Sequence, residues 1–166
     1  GCLADDMGLG KTPTTVAHIV SRDAAEPTFV VCPLSVIHNW ESEIARFAPN
    51  LRVLVVHGPD RPKSAHFLEV AVTYNVIIST YLTAARDIET LRQIKWDLVI
   101  CDEAQVIKNY QTNAAQVVRD LTARQTVALT GTPIENRLME LWAILDAVNP
   151  GVLGRATWFR DNFATP

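Results

Sequence analysis

The segment with the clearest chemical potential is residues 5–12, which read Asp-Asp-Met-Gly-Leu-Gly-Lys-Thr. Glycine lets the backbone approach an anion closely, so Gly8 and Gly10 would turn amide N–H groups and a helix N-terminus toward phosphate. In such a loop, Lys11 would reach the β- and γ-phosphates and the Thr12 hydroxyl would bind Mg²⁺. The segment therefore predicts a loop that binds a nucleoside triphosphate.

This phosphate-loop pattern is incomplete, and a second interpretation stays open at this point. The strict pattern G-x-x-x-x-G-K-[ST] has glycine five residues before Gly10, where this chain has Asp5. A Gly-x-Gly-Lys-Thr run can also occur in an ordinary turn. Pro13 fits a helix that begins here, because proline is tolerated in the first turn of a helix.

Two adjacent carboxylates, Asp102 and Glu103, follow the apolar run 96–101, which predicts a buried parallel strand. The carboxyl ends of such strands are where α/β sheets bind ligands. There Asp102 would hold Mg²⁺, directly or through water, and Glu103 would orient and deprotonate an attacking water. The alternative is a solvated acidic pair at a helix start, where the dipole favours acids. The presence of Gly-Lys-Thr favours the catalytic interpretation.

A third polar group, Thr130, Gly131 and Thr132, follows the predicted strand near 125–130. Small hydroxyl side chains at a strand end can hydrogen-bond to carboxylates or phosphates. Pro133 keeps Thr132 out of the α region of backbone space. A plain strand-to-helix turn is the alternative interpretation of this group.

Strands and helices alternate along the chain, which predicts a mostly parallel sheet with helices on both faces. Trp40 and Trp142 lie on the apolar faces of two predicted helices, which indicates core positions rather than platforms for base stacking. Strands are predicted near residues 1–4, 28–32, 52–57, 75–79, 97–101 and 125–130, and helices near 11–22, 35–47, 63–70, 83–94, 113–121, 137–148 and 155–163.

The three polar groups, in this order, resemble motifs of the Swi/Snf-type family of DNA-dependent ATPases, within the second helicase superfamily. Residues 5–12 are similar to the family's first motif, with Asp6 in place of its Glu. Residues 102–105 resemble the second motif, in which Gln105 is a frequent variant of His, and residues 129–136 resemble the third.

The resemblance covers nearly the whole chain and implies a three-layer α/β, RecA-like P-loop NTPase domain over residues 1–166. Residues 31–40 and 76–81 resemble DNA-contacting segments of the family. The resemblance assigns ATP binding to Asp6, Met7, Gly8, Leu9, Gly10, Lys11 and Thr12; metal binding to Thr12 and Asp102; catalysis to Lys11, Asp102 and Glu103; coupling to Gln105, Thr130, Gly131 and Thr132; and DNA contacts to Ser35, Asn39, Thr80 and Tyr81.

The activity that the resemblance implies is that of a double-stranded-DNA-dependent ATPase and translocase of the chromatin- or nucleoprotein-remodelling type. The implied cofactors are ATP and Mg²⁺. The implied partners are double-stranded DNA and a second RecA-like lobe of the same chain, which carries an arginine finger; a DNA-bound protein target is a further partner that the resemblance allows. We therefore expect this sequence to be the first lobe of a longer protein, inactive as an isolated fragment.

Three other functions stay open at this point. An RNA or DNA helicase of the same superfamily is one, although Met7-Gly8-Leu9 and residues 134–142 argue against it. A P-loop kinase is the second, although the Asp102-Glu103 pair points to activation of water instead. The third is a module that binds nucleotide and does not hydrolyse it without a second lobe.

The composition sets broad limits on partners and location. The net charge is −3, without a tract rich in Lys or Arg, which argues against a generic basic nucleic-acid binder but leaves local backbone contacts open. No apolar run reaches transmembrane length and no signal peptide is visible, so we expect no membrane partner. We expect an intracellular protein: cytoplasmic and nucleoid-associated if bacterial, nuclear if eukaryotic. The three cysteines lack ligand spacing and are expected to be reduced.

Overall fold

A computed structural model describes residues 1–22, 24–134 and 137–164. These residues form a six-stranded sheet of order β1-β6-β5-β2-β4-β3, in which every pairing is parallel. The strands are β1 (Cys2–Leu3), β2 (Thr28–Cys32), β3 (Val53–Val56), β4 (Val76–Thr80), β5 (Trp96–Cys101) and β6 (Ala123–Leu129). The last two residues of the third motif, 135–136, lie outside the described residues.

The helices lie between the strands and after the last of them. They are α1 (Lys11–Ser21), α2 (Ile37–Phe47), α3 (Ser64–Ala71), α4 (Tyr81–Arg86), α5 (Ile88–Leu91), α6 (Asn113–Asp120), α7 (Leu138–Val148) and α8 (Ala156–Phe159). Short 3₁₀ turns lie at Leu34–Val36 and Ala104–Ile107, and a π-helical turn at Arg160–Ala164.

Helices cover both faces of the sheet, which gives three layers. On one face, Val30 and Ile100 pack against α1 and α2; on the other, Phe29 and Val99 pack against α3 to α7. The central strands β2 and β5 are buried at every position. Burial on both faces accounts for their continuous apolar sequences. The predicted three-layer α/β fold with a parallel sheet is confirmed.

Two predicted helices are divided in the structure. In place of the helix predicted near 83–94 the structure has α4 and α5, which end at Leu91 and are separated at Asp87, whose backbone angles (φ −102°, ψ 13°) are not helical. Asp87 accepts two hydrogen bonds from Arg61, at 2.6 and 2.8 Å, and this pairing fixes the break. The predicted helix near 155–163 divides into α8 and the π-helical turn. The other predicted elements are found within about two residues of their expected ends.

The predicted core positions of Trp40 and Trp142 are confirmed, because their exposed fractions are 0% and 7%. All three cysteines are unpaired, and burial raises the pKa of the Cys32 and Cys101 thiols to about 12. Across the described ranges, no group of three His, Cys, Asp or Glu side chains is placed to hold a metal ion. Within those same ranges, no helix is long and apolar enough to cross a membrane.

A buried ion pair lies near the amino ends of the central strands. Asp97 in β5 is 2% exposed, and Arg22, which follows α1, donates to both of its carboxylate oxygens. Arg22 also donates to Gln125 Oε1 at 2.7 Å, and the same oxygen contacts His18 Nε2 at 3.1 Å. The hydrogen bonds from Arg22 lower the pKa of Asp97. The pair therefore ties α1 to the sheet at the edge opposite the phosphate loop.

We expect Arg22→Ala to lower the free energy of unfolding at neutral pH by about 3 kcal/mol, because it leaves the buried Asp97 carboxylate unpaired. Because folding lowers the pKa of Asp97, its stabilising effect is present above the unfolded-state pKa and is lost as the pH falls through the folded-state pKa. Urea denaturation measures both effects. Arg92→Ala is the control, since the Arg92 ion pairs with Glu89 and Asp120 are more exposed and contribute little. Equal losses in the two variants would contradict the explanation.

Candidate nucleotide-binding site

The predicted phosphate loop connects the edge strand β1 to α1 at the carboxyl end of the sheet. Gly8 and Gly10 have φ angles of 83° and 79°, a region that glycine enters without steric cost. A Cβ atom at Gly8 would meet no atom within 4 Å, so the backbone conformation, not packing, requires glycine there. Gly10 precedes α1 without a side-chain cap, which leaves the first amide groups of the helix available to an anion.

The Lys11 side chain folds back over this loop. Its Nζ atom donates to the backbone carbonyl oxygens of Asp5 and Asp6, at 2.7 and 3.0 Å. Phosphate oxygens can replace such carbonyl oxygens as acceptors for an ammonium group. The lysine is therefore placed at the loop itself, as the sequence predicts for a phosphate ligand.

A cleft of about 340 Å³ joins the loop to the predicted acidic pair. This volume lies within the usual range for small-molecule sites. Its lining residues are Met7, Gly8, Gly10, Lys11, Thr12, Pro13, Val36, Asn39, Glu43, Asp102 and Glu103. The fold thus brings together polar groups that are far apart in the sequence.

Two of the larger clefts elsewhere have a lining that is less suited to a nucleotide with its cation. The cleft of about 520 Å³ beside Gly1 and Asn149 has no carboxylate among its described lining residues. The cleft of about 640 Å³ around Trp158 and Phe163 is lined mainly by apolar side chains. The smaller cleft at the loop is therefore the better candidate.

Asp102 follows β5 and is 9% exposed, with both carboxylate oxygens hydrogen-bonded. Trp40 Nε1 donates to Oδ2 at 2.8 Å, and the Glu103 amide donates to Oδ1 at 2.9 Å. Burial raises the pKa of Asp102, and these two hydrogen bonds oppose the shift. A carboxylate oxygen can accept more than one hydrogen bond, so each oxygen keeps capacity to bind a cation.

The described residues fit a Mg²⁺ ion that is shared with a nucleotide. Mg²⁺ in proteins is usually bound through one or two carboxylates together with phosphate oxygens. Asp102 supplies a fixed carboxylate and Thr12 a hydroxyl in the same cleft. The remaining ligands would come from phosphate and water.

Glu103 stands at a sharp turn between β5 and the following 3₁₀ turn. Its backbone angles (φ 50°, ψ 54°) are in the left-handed region, which is costly for residues other than glycine. Such conformations persist at functional sites when the surrounding structure enforces them. Here the turn places both Asp102 and Glu103 in the lining of the cleft.

Gln105 links this acidic pair to the third polar group. Its Nε2 atom donates to Glu103 Oε2 at 2.6 Å, and its Oε1 atom accepts from Thr130 Oγ1 at 2.9 Å. Thr130 Oγ1 in turn accepts from the Thr132 amide at 3.1 Å. Gly131 lies against the phosphate loop, since a Cβ atom there would be 3.4 Å from Met7 Cγ. The third motif therefore contacts the phosphate loop directly, and it is linked to Glu103 through Gln105.

The family model described as SNF2-related domain matches residues 1–166, the whole chain. The chain belongs to the SNF2-related domain family. The resemblance to Swi/Snf-type ATPases that the motifs indicate is thereby confirmed.

This SNF2-related domain spans only part of the length of the relatives that it matches. YwqA of Bacillus subtilis is 40% identical over 169 residues, which cover 99% of this chain and 18% of YwqA. The ISWI chromatin-remodeling complex ATPase ISW1 of Saccharomyces cerevisiae is 35% identical over 172 residues, 99% of this chain and 15% of that protein. A solved Sulfolobus solfataricus SWI2/SNF2 ATPase core in complex with double-stranded DNA is 44% identical with a TM-score of 0.86, over 99% of this chain and 34% of that one.

Two of the four predicted DNA contacts of this SNF2-related domain are exposed. Ser35 lies in the 3₁₀ turn before α2, and Asn39 lies in the first turn of α2. Asn39 also lines the nucleotide cleft, so it lies on the same side of the domain as Lys11 and Asp102. The start of α2 therefore borders both the surface and the cleft.

The predicted DNA contacts at Thr80 and Tyr81 stay predictions, and these side chains are only 6% and 7% exposed. Thr80 Oγ1 accepts from the Thr83 amide at 3.1 Å and so caps α4. Tyr81 donates its hydroxyl to the backbone oxygen of Asp102 at 2.9 Å. Both side chains are committed to internal contacts in this SNF2-related domain.

Sequence reasoning missed Trp40 and Tyr81 as partners of Asp102. The one signal available is general: a buried tryptophan N–H or tyrosine O–H usually has a hydrogen-bond acceptor. Which acceptor it finds depends on how α2 and α4 pack against the end of β5. Neither composition nor spacing in the SNF2-related domain contains that information.

Proposed function

We propose that this SNF2-related domain is the ATP-binding lobe of a double-stranded-DNA-dependent ATPase that couples hydrolysis to movement on DNA. The observation that carries the proposal is the common cleft of the glycine-rich loop, Lys11, Asp102 and Glu103. Family membership supports it, as does the similarity to an ATPase core solved in complex with double-stranded DNA.

In the proposed complex, the loop and the start of α1 bind the triphosphate. Amide groups at Gly8 and Gly10 donate to phosphate oxygens, and Lys11 leaves the loop carbonyl oxygens to contact the β- and γ-phosphates. The rest of the loop, Asp6, Met7 and Leu9, borders the nucleotide; the Met7 and Leu9 side chains are 83% and 66% exposed. Thr12 and Asp102 would hold Mg²⁺, which neutralises charge on the phosphates when bound.

Glu103 is the proposed general base. Its carboxylate would orient a water molecule against the γ-phosphate and accept a proton from it. Gln105 fixes one of its oxygens by the 2.6 Å hydrogen bond, which limits the rotation of the carboxylate. Activation of water distinguishes the proposed ATPase from a kinase, because a kinase must exclude water so that another molecule accepts the phosphoryl group.

Gln105, Thr130, Gly131 and Thr132 are the proposed coupling residues. Their support is the chain of hydrogen bonds from the Thr132 amide through Thr130 and Gln105 to Glu103. A movement of the backbone at the third motif would therefore change the orientation of the proposed base. The close approach of Gly131 to Met7 would carry the same movement to the phosphate loop.

The partners proposed for the whole protein are double-stranded DNA, through Ser35 and Asn39, and a second RecA-like lobe of the same chain that supplies an arginine. A DNA-bound protein target is a further proposed partner. The support for a second lobe is that this domain spans only 18% of YwqA and 34% of the Sulfolobus chain. The proposed location is intracellular, at the nucleoid of a bacterium or in a eukaryotic nucleus.

A test of the nucleic-acid partner compares two activators of the two-lobed protein. We expect duplex DNA to stimulate ATP hydrolysis and single-stranded RNA to leave it near the basal rate. Steady-state hydrolysis at saturating ATP, measured with increasing amounts of each nucleic acid, gives both values. Stimulation by RNA alone would contradict the proposal and favour the helicase alternative.

A further inference from the structure

We propose that Trp40 is a positioning residue, which aims the Asp102 carboxylate at the cation that accompanies the nucleotide. The inference rests on the proposed function of the cleft. It goes beyond it by giving a task to a buried side chain of α2 that does not itself line the cleft.

The geometry leaves Trp40 little freedom. The side chain is fully buried, in a cluster with Ile37 and Ile44 of α2 and with Ile100 of β5. An indole has a single N–H group that can only donate, and here it donates to Asp102 Oδ2 at 2.8 Å. The packed ring therefore defines where this carboxylate oxygen must lie.

The second carboxylate oxygen is fixed by another donor. The Glu103 amide donates to Asp102 Oδ1 at 2.9 Å, so the two oxygens are held from two directions. Tyr81 adds a third contact, because its hydroxyl donates to the Asp102 backbone oxygen at 2.9 Å. The Glu103 amide holds Oδ1, and the position of Oδ2 depends on the hydrogen bond from Trp40.

Removal of the indole N–H would leave Oδ2 buried without its donor. The carboxylate would then rotate or recruit water, and its free lone pairs would no longer point in one direction. Loss of a partner that orients a metal ligand typically weakens metal affinity by about 10–100-fold. We therefore expect the contribution of the cation to nucleotide binding to fall when Trp40 cannot donate.

The experiment measures binding rather than turnover. A non-hydrolysable ATP analogue is titrated into the chain by calorimetry, once with Mg²⁺ and once with EDTA. The ratio of the two affinities isolates the contribution of the cation. We expect Trp40→Phe to lower this ratio by about tenfold and to leave the affinity in EDTA unchanged.

Trp96→Phe is the matched control. Trp96 is 1% exposed, and its indole also donates one buried hydrogen bond, to the Leu91 backbone oxygen at 3.1 Å. It lies at the start of β5, whereas Asp102 follows the end of that strand. The same atoms are thus removed from a buried tryptophan in the cluster on the other face of the sheet, without any change at Asp102, and the ratio should stay at the wild-type value.

A second variant at the same position keeps the test valid if Trp40→Phe does not fold. It carries 3-benzothienylalanine at position 40, in which sulfur replaces the N–H group and the bicyclic ring keeps its size. This variant is expected to melt close to the wild-type temperature and to show the same lowered ratio. Its result decides the matter if Trp40→Phe does not fold.

The outcomes separate this inference from the proposed function. If the wild-type chain binds the analogue in a Mg²⁺-dependent way and the position-40 variants keep the wild-type ratio, the inference is overturned and the proposed function stands. An equal fall in Trp96→Phe would also overturn it, since the effect would then be general softening of the core. If the wild-type chain does not bind the analogue, the proposed function fails and the inference fails with it.

Discussion

Replacement of Glu103 by glutamine is expected to preserve ATP binding and to lower turnover of the two-lobed protein by about 10²–10⁴-fold. Glutamine keeps the size of the side chain, and its amide oxygen can still accept the hydrogen bond from Gln105. It cannot accept a proton from water near neutral pH. Steady-state hydrolysis measures the loss, and calorimetric titration of the nucleotide checks that binding survives.

The control for this substitution is Glu43→Gln. Glu43 lines the same cleft from α2, so the variant removes an equal charge close to the nucleotide without touching the proposed base. We expect it to retain far more activity than Glu103→Gln. Hydrolysis by Glu103→Gln at a rate near wild type would show that Glu103 is not the base.

The isolated residues 1–166 are expected to show little or no DNA-stimulated ATP hydrolysis. The transferring phosphoryl group develops charge that a cationic group must stabilise, and an arginine finger contributes about 10³–10⁵-fold in rate. The proposed source of that arginine is the second lobe. The measurement compares this domain with the two-lobed protein, each with and without duplex DNA.

Arg137 is the residue of this domain that could supply the positive charge in place of the second lobe. It is exposed and stands immediately before α7, shortly after the third motif. We expect it to be a surface residue at the helix start without a catalytic contact. Robust DNA-stimulated turnover by the isolated domain would refute the division of the site between two lobes. The Arg137→Ala variant would then show whether Arg137 supplies the charge.

The fold could be predicted largely because its central strands follow simple rules. Strands β2 and β5 are buried on both faces and therefore appear in the sequence as continuous apolar runs. The division of residues 83–94 into two helices could not be predicted in this way. It depends on the ion pair between Arg61 and Asp87, which joins two segments that only the fold brings together.

The parts of the candidate site that could be predicted from the sequence are those in which a few adjacent residues carry the reactive side chains. Gly10, Lys11 and the acidic pair fall into that class, and the structure places them in one cleft. The contacts that support these residues could not be predicted, because the hydrogen bond from Trp40 to Asp102 depends on how α2 packs against β5.

The DNA contacts show what a resemblance in sequence leaves open. Similarity in a segment indicates that the segment lies near DNA in the family, but not which side chains face outward. Thr80 is the last residue of a buried strand, and its hydroxyl caps the helix that follows. Tyr81 turns inward to Asp102. Ser35 and Asn39, by contrast, are exposed, and all four contacts stay predictions.

Calorimetric titration of wild-type and Lys11→Ala chains tests whether the loop at Lys11 binds the phosphates of Mg²⁺-ATP. A hydrogen bond to a charged group contributes about 1.5–3 kcal/mol, so we expect affinity to fall by about 10–100-fold. The melting temperature should barely change, because the hydrogen bonds that the Lys11 ammonium makes among the described residues go to two exposed loop carbonyl oxygens. Lys95→Ala, which removes an exposed lysine before β5, should bind like wild type. Unchanged affinity in Lys11→Ala, or a collapse of its melting temperature, would contradict phosphate binding by this lysine.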